Sequence, residues 1–193
     1  MRDKTNTWIP ATLLLCGMVA PLGNLGHAQV LKVRPGLWIE SVSSSINGQP
    51  FPGMEVTLEP FGPQVVARVK AALKRYGLPA NGNPNLQCYT QADFDVAAVI
   101  RKTAQYCPSP KVEMTASGVK YQANCQKDGA TAMVKGEVRL TNGGMEIIST
   151  SQESGKTHGK PFTSDTHSIQ KWIGADCNNP PEGIDREWLN LGR

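Results

Sequence analysis

Apolar and polar residues alternate along residues 111–141, which is the pattern of antiparallel strands with one buried face. Val112 and Met114 alternate with charged or polar residues, and Val134 and Val138 do the same further along. Side chains two positions apart share one face of a strand. Ser-Gly, Asp-Gly and Asn-Gly pairs between the segments mark turns. This stretch therefore predicts an antiparallel meander.

More extended segments lie on either side of the meander. The first strand opens at Arg34 and runs to Ile46, and a short extended segment follows at residues 54–58. Beyond the meander, two weaker alternating segments at residues 145–153 and 162–173 predict two more strands. The segment between them holds two glycines and one proline and predicts a loop.

The section between the first strands and the meander carries helical periodicity. Valines and leucines recur on one stripe of a helix over residues 64–76, and Gly77 followed by Leu-Pro is a typical helix end. Residues 81–85 are rich in Asn, Gly and Pro and predict a loop. A Thr-x-x-Asp capping box that begins at Thr90 then predicts a second, shorter helix over residues 91–102.

The elements together predict an α+β domain. Its antiparallel β-meander has about six or seven strands, is strongly curved or partly closed into a barrel, and carries one or two inserted helices. Removing a predicted signal peptide, residues 1–28, from the 193-residue chain leaves 165 residues. That length supports one core and is short of what two domains usually need. We expect one domain over residues 29–177 and a C-terminal tail over residues 178–193.

The N-terminal segment has the pattern of an export signal. Residues 1–4 are mostly basic, residues 8–25 carry no charge, and small residues precede a predicted cut after Ala28. The apolar stretch is short and broken by prolines and glycines, so we expect no transmembrane segment in the mature chain. These features predict a periplasmic protein. Lipidation at Cys16 is the alternative, which Leu15 before it disfavours.

The mature chain keeps four cysteines, an even number that fits two disulfides in an oxidising compartment. A hairpin at the first Ser-Gly turn brings Cys107 opposite Cys125, which leaves Cys88 to pair with Cys177. No C-x-x-C spacing occurs. A zinc site is therefore disfavoured, and we expect no metal and no cofactor.

Composition and motifs argue against several functions. The formal net charge is only +4, and the few aromatic residues are not interleaved with basic ones, so no nucleic-acid partner is expected. The sequence lacks a nucleophile elbow, an H-E-x-x-H motif, a phosphate loop and a dinucleotide glycine pattern. Two S-x-x-K matches, at Ser117 and Ser168, lie in turn or strand contexts, whereas that pair catalyses from a helix start. No catalytic residue is assigned.

Distinctive motifs lie at both ends of the predicted domain. They are Arg-Pro-Gly-Leu-Trp at residues 34–38 and Trp-Ile-Gly-Ala-Asp-Cys at residues 172–177, with Cys-Tyr-Thr at residues 88–90 between them. These motifs resemble a family of exported bacterial proteins that is known only as a domain of unknown function. The likeness covers most of residues 34–177. It implies an envelope location and supplies no activity and no catalytic residue.

The first and last strands supply candidate ligand-binding residues, namely Trp38, Glu40 and Trp172. Glu40 shares a strand face with Trp38, so an inward Trp38 makes Glu40 a partly buried carboxylate that needs a partner. A ligand could be that partner. The simpler interpretation, which we favour, places Glu40 on the rim of the domain and pairs it with a Lys or Arg.

The helix over residues 64–76 carries a candidate face for an anionic partner. Arg68, Lys70, Lys74 and Arg75 lie opposite its apolar stripe, in a part of the chain without acidic residues. Such a face could meet lipid headgroups or an acidic protein. A solvated outer face is the simpler interpretation.

Three functions fit these observations. The first is a non-catalytic envelope protein that binds a small amphipathic molecule or lipid in the concavity of the sheet. The second is an interaction module that docks another envelope protein through the basic helix or the C-terminal tail. The third is a hydrolase with an unrecognised site around Asp165 and His167, which share a strand face.

Overall fold

The structure is a computed structural model, and it describes residues 31–51, 62–96, 100, 105–182 and 184. The predicted signal peptide, the extended segment at residues 54–58 and most of the predicted tail lie outside the described residues. The elements in chain order are β1 (Gly36–Ile46), β2 (Gln49–Pro50), helix α1 (Pro63–Arg75), β3 (Asn83–Tyr89), a 3-10 helix (Gln91–Phe94), β4 (Lys111–Thr115), β5 (Gly118–Lys127), β6 (Ala130–Thr141), a second 3-10 helix (Asn142–Gly144), β7 (Glu146–Thr157) and β8 (Lys160–Gly174).

The described strands form one antiparallel sheet of eight strands in the order β2-β1-β8-β7-β6-β5-β4, with β3 also paired to β1. The α+β architecture is confirmed, but the described sheet has eight strands where six or seven were predicted. Within the described residues β4 forms one edge and β2 with β3 the other, so the sheet is open and the predicted barrel closure is not found. The meander from β4 to β8 follows the chain strand by strand.

Sequence analysis missed the two-residue strand β2 and the longer strand β3, whose first residues were predicted as a loop. Strand β3 pairs with β1 from Gly36 opposite Tyr89 to Val42 opposite Asn83. Asn and Pro have low strand propensity, but pairing with a buried partner strand outweighs local preference. The predicted loop at residues 81–85 is therefore wrong from residue 83 onwards.

The loop predicted between the last two strands is also wrong. Strands β7 and β8 continue into it and meet at a tight turn in which His158 has φ 48° and Gly159 has φ 78°. Two positive φ angles are what a two-residue type I′ hairpin turn requires. Asp128–Gly129 and Asn47–Gly48 have the same pattern of positive φ. The mostly polar residues of this hairpin resembled a loop because they are exposed, not because they are irregular.

One end of the sheet, which we call the covered end, is packed on both faces. It comprises residues 36–42 of β1, β3 and residues 168–174 of β8. On one face Leu37 and Ile39 pack with Val69 and Leu73 of α1. On the opposite face Trp38 packs into a cluster with apolar residues from the 3-10 helix and from strands β5 to β7. Both faces of β1 are thus core.

The helix α1 confirms the prediction of a helix at residues 64–76, and it buries Val69, Ala72 and Leu73. The second predicted helix begins as expected at Thr90, where the capping box is present. Its described start is the short 3-10 helix, and most of the remainder lies outside the described residues. This segment brings Phe94 onto the core beside Trp38.

Within the described residues the cysteines form two disulfides, Cys88–Cys177 and Cys107–Cys125, which is the pairing that the hairpin predicted. The first ties β3 to the chain just after β8. The second ties the segment before β4 to β5. A search of the described helices finds none that is both long enough and apolar enough to cross a membrane.

Candidate functional site

Glu40 lies in the middle of β1 with Asn85 of β3 on one side and Gln170 of β8 on the other. Its side chain is only 5% exposed. Its carboxylate accepts hydrogen bonds from Asn85 Nδ2 at 3.1 Å, Gln87 Nε2 at 3.5 Å and Gln170 Nε2 at 2.9 Å. Three amide side chains therefore surround one buried carboxylate.

This environment contradicts the rim position that we favoured for Glu40. None of its described hydrogen-bond partners is a Lys or Arg. Burial raises the pKa of Glu40, and hydrogen bonds from Ser168, Asn85 and Gln170 offset part of that rise. Gln170 is itself buried, and its Oε1 atom has no hydrogen-bond partner. Glu40 is thus a polar centre inside the core, held by neutral donors.

The two tryptophans proposed as ligand contacts both donate hydrogen bonds to the main chain just before β1. Trp38 is 1% exposed, packs edge-on to Tyr89 and donates from Nε1 to the Arg34 carbonyl at 3.0 Å. Trp172 donates from Nε1 to the Pro35 carbonyl at 3.1 Å, and the Arg34 guanidinium lies over its ring at 5.5 Å. Burial leaves Trp38 without an accessible surface for a ligand.

An open groove of about 720 Å³ lies elsewhere, at what we call the open end of the sheet. The open end comprises residues 43–46 of β1, 160–167 of β8, 150–157 of β7, 130–137 of β6 and 120–127 of β5. Most of its lining residues, among them Ser43, Thr150 and Asp165, lie in register on the face opposite Glu40, while a central row that includes Ser44, Ser151 and Thr166 has the register of the Glu40 face. Its charged side chains lie on the face opposite Glu40, and Glu40, Trp38 and Trp172 do not line it.

The strand register arranges the groove-lining side chains in rows that cross the sheet. One row runs from Ser43 to His167, Thr150, Glu137 and Lys120. Adjacent strands are about 4.8 Å apart, so neighbours in this row are within reach of one ligand. The row combines hydroxyl groups, an imidazole and two opposite charges.

A second row lies two residues along the strands and runs from Ser45 to Asp165, Gln152 and Lys135. Gln152 thus separates a carboxylate from an ammonium group. Across the part of the chain that the structure describes, neither Asp165 nor Lys135 makes an ion pair or a side-chain hydrogen bond. Two charges of opposite sign therefore face the groove without protein partners.

Asp165 and His167, the residues of the hydrolase hypothesis, both line this groove. The described residues contain no hydrogen bond between their side chains. The hydroxyl of Ser43 donates to the main-chain carbonyl of His167 at 3.4 Å and not to the imidazole. No group of three or more potential metal ligands occurs in the described ranges. The residues share a groove without forming a hydrogen-bonded catalytic arrangement.

The predicted anionic-partner face lies on α1, away from the buried residues of that helix. Arg68, Lys74 and Arg75 are exposed and Lys70 is half-buried. Arg75 Nη1 donates to the main-chain carbonyl of Glu182 at 2.5 Å, so the helix also contacts the start of the tail. A partner for this face stays a prediction.

Sequence analysis found Asp165 and His167 but missed the rest of the groove. A signal was present, since β1 carries three consecutive serines at residues 43–45, and residues 150–157 of β7 are polar on both faces. A strand that is polar on both faces cannot be packed on both. Where such strands lie side by side, they mark a solvent-facing surface of the sheet.

The fold and groove define a class: a disulfide-linked, antiparallel sheet protein with one end packed on both faces and an open polar groove at the other. The chain belongs to the family described as "Protein of unknown function (DUF3617)", which matches residues 33–177. This confirms the resemblance seen in the end motifs, and the match contains the whole groove. A comparison with curated proteins finds no match.

Proposed function

We propose that this protein is a non-catalytic, exported protein that binds a small amphipathic molecule in the groove at the open end of the sheet. The groove itself carries the proposal, because its volume of about 720 Å³ is within the range of small-molecule sites. Its walls combine the methyl and methylene groups of Thr150 and Lys135 with polar tips. Such walls favour a ligand with polar groups over a bare acyl chain.

The non-catalytic part of the proposal rests on the arrangement of Asp165 and His167. A nucleophile and its base need to lie within hydrogen-bond reach of each other, with a third group that orients the base. Ser43 and Thr150 are the hydroxyl residues directly opposite His167. Ser43 bonds main chain instead, and the described residues show no hydrogen bond from Thr150 to the imidazole. A binding role needs none of this geometry.

The exported part of the proposal rests on the cysteines and the N-terminal pattern. Two disulfides fit an extracellular or periplasmic location, since the cytosol keeps thiols reduced. The predicted signal peptide with a cut after Ala28 makes the periplasm the proposed compartment. Export of the full chain and N-terminal sequencing of the product would test the cut.

The binding proposal is tested by native mass spectrometry of protein purified from the periplasm. We expect a population heavier than the oxidised chain, and we expect Thr150→Trp, which fills the centre of the groove, to lose it. Lys160→Trp, which adds the same side chain at the exposed hairpin tip, is the matched control and retains the extra mass.

A second measurement covers a ligand that is lost during purification. A periplasmic small-molecule extract is added to labelled protein and amide shifts are followed by NMR. Shifts confined to residues of the groove support the proposal. A bare mass together with unshifted groove amides would contradict it and give weight to partner binding through α1.

A further inference from the structure

We infer that the ligand of the groove is a short peptide with free ends, about three residues long. The inference rests on the proposed function and specifies the chemistry of the ligand at that site. It is carried by the row in which Asp165, Gln152 and Lys135 lie side by side on β8, β7 and β6. Across the sheet this row presents first a negative charge, then an amide and then a positive charge.

The spacing of this row matches the length of a tripeptide. Asp165 and Lys135 are two strand positions apart, which is about 9.6 Å at about 4.8 Å per strand. An extended chain spans about 3.3–3.6 Å per residue, so three residues cover about 10 Å. A tripeptide laid across the strands therefore places its ammonium at Asp165 and its carboxylate at Lys135.

The amide of Gln152 fits the middle of such a ligand. It offers both a donor and an acceptor, which are the two groups that a peptide bond presents. In the parallel row, Glu137 has the oppositely charged Lys120 as its direct cross-strand neighbour and lies 4.0 Å from Arg139 Nε, so its charge is already matched by the protein. The groove therefore favours a ligand that carries both charges over one that carries a single charge.

Other ligand chemistries fit this row less well. A neutral sugar leaves Asp165 and Lys135 unmatched. A simple anion satisfies Lys135 but brings its charge toward Asp165, and a simple cation does the reverse. A zwitterion with separated ends satisfies both charges at once.

The first test measures binding of trialanine to the full-length exported protein by NMR titration. N-acetylated trialanine and trialanine amide each lack one terminal charge and serve as matched probes. We expect shifts at the groove with trialanine and about three- to fivefold weaker binding for each blocked form, the effect of one exposed ion pair. Equal binding of all three forms would overturn the inference.

Substitutions in the groove test the same contacts from the protein side. Asp165→Asn and Lys135→Gln should each weaken trialanine binding about three- to fivefold. Asp128→Asn and Lys160→Gln make the same charge changes at exposed turn positions and should leave it unchanged. The double exchange of Asp165→Lys with Lys135→Asp should restore binding, because the peptide can bind in the reverse direction.

The outcomes separate this inference from the proposed function. If trialanine causes no amide shifts in the groove, but a ligand co-purifies with the protein or an extract component causes such shifts, the peptide inference is wrong and the binding proposal stands. If nothing shifts the groove, both are wrong. If the exchanged double variant binds no better than the single variants, the paired-charge geometry is wrong.

Discussion

The covered end and the open end of this sheet share strands but differ in packing. At the covered end both faces of β1 are core, with α1 on one face and the Trp38 cluster on the other. At the open end only one face is packed, where Ala123 and Val134 are buried, and the other carries the charged side chains of the groove. Two strands, β1 and β8, pass through both environments.

The difference shows in the sequence of β1 itself. Leu37, Trp38 and Ile39 are consecutive and all buried, because a strand covered on both faces needs apolar side chains in both directions. Further along β1, Ser43, Ser44 and Ser45 make the strand polar where it borders the groove. Stability should therefore concentrate at the covered end, and ligand binding at the open end.

The largest expected effect is at Trp38. Trp38→Ala removes a buried indole and its hydrogen bond to the Arg34 carbonyl, and should lower the free energy of unfolding by about 3–5 kcal/mol. Trp38→Phe retains part of the ring packing and should cost less. Urea unfolding followed by circular dichroism measures both. A loss below about 1 kcal/mol for alanine would contradict a core role for the covered end.

The two disulfides should stabilise the fold by different amounts because they close loops of different length. Cys88 and Cys177 are 89 residues apart and Cys107 and Cys125 are 18 apart. In the chain-entropy description, removing the longer link should cost about 1.4 kcal/mol more than removing the shorter one. Paired Cys→Ser variants compared by urea unfolding test this. Equal losses of unfolding free energy would mean that folded-state contacts, and not loop length, determine how much each disulfide stabilises the fold.

Glu40 should make the covered end sensitive to pH. Because burial raises its pKa above the ordinary value of 4.5, the fold holds the proton more tightly than the unfolded chain. Its stabilising contribution is complete below that ordinary value and is lost as pH rises through the raised pKa. Glu40→Gln should remove this loss, on the order of 1 kcal/mol at neutral pH, the scale of one buried hydrogen bond.

The check for Glu40 is a series of urea unfolding curves from pH 4 to pH 8. Glu113→Gln, on an exposed position of β4, is the matched control and should keep the wild-type slope of unfolding free energy against pH. If Glu40→Gln kept that slope as well, the carboxylate would not be the source of the pH dependence.

The last prediction compares two neighbouring residues whose side chains point to opposite faces of the sheet. Ser151, which borders the groove from the packed face, is buried and hydrogen-bonded to Tyr121, whose pKa is raised to about 12 chiefly by burial, while Thr150 has the register of the opposite face and is exposed. Ser151→Ala should cost about 1–2 kcal/mol through the lost hydrogen bond. Thr150→Ala should stay within about 0.5 kcal/mol. Thermal unfolding of the two variants measures both losses of stability. A larger loss for Thr150→Ala than for Ser151→Ala would argue that the face of Thr150 is packed.

Much of the fold could be predicted, because the strands of the meander have one buried and one solvated face. Alternation at Val112 and Met114 located β4, and amphipathic periodicity located α1. The strand β3 could not be found in this way, since its Asn-Pro-Asn start becomes extended only by pairing with β1. The closing hairpin was missed because exposed polar strands and loops have similar composition.

The candidate site was less predictable than the fold. The parity of Glu40 and Trp38 correctly placed them on one face, but parity cannot say whether a face is filled by the chain itself. The amides that surround Glu40 come from β3 and β8, far away in sequence. The groove depends on the register between five strands, which no local pattern specifies. Asp165 and His167 were visible only as two polar residues on a strand.

The tight turns at Asp128–Gly129 and His158–Gly159 also bear on how the chain reaches this fold. Each joins strands that are adjacent in sequence, and such hairpins form in about 1–10 μs. The pairing of β1 with β8, in contrast, joins residues such as Glu40 and Gln170 that are 130 positions apart. Long-range closure of this kind is slow. We therefore expect the meander to assemble first and β1 to dock onto it last, so the polar groove wall on β5 to β8 should exist before the core around Glu40 is sealed.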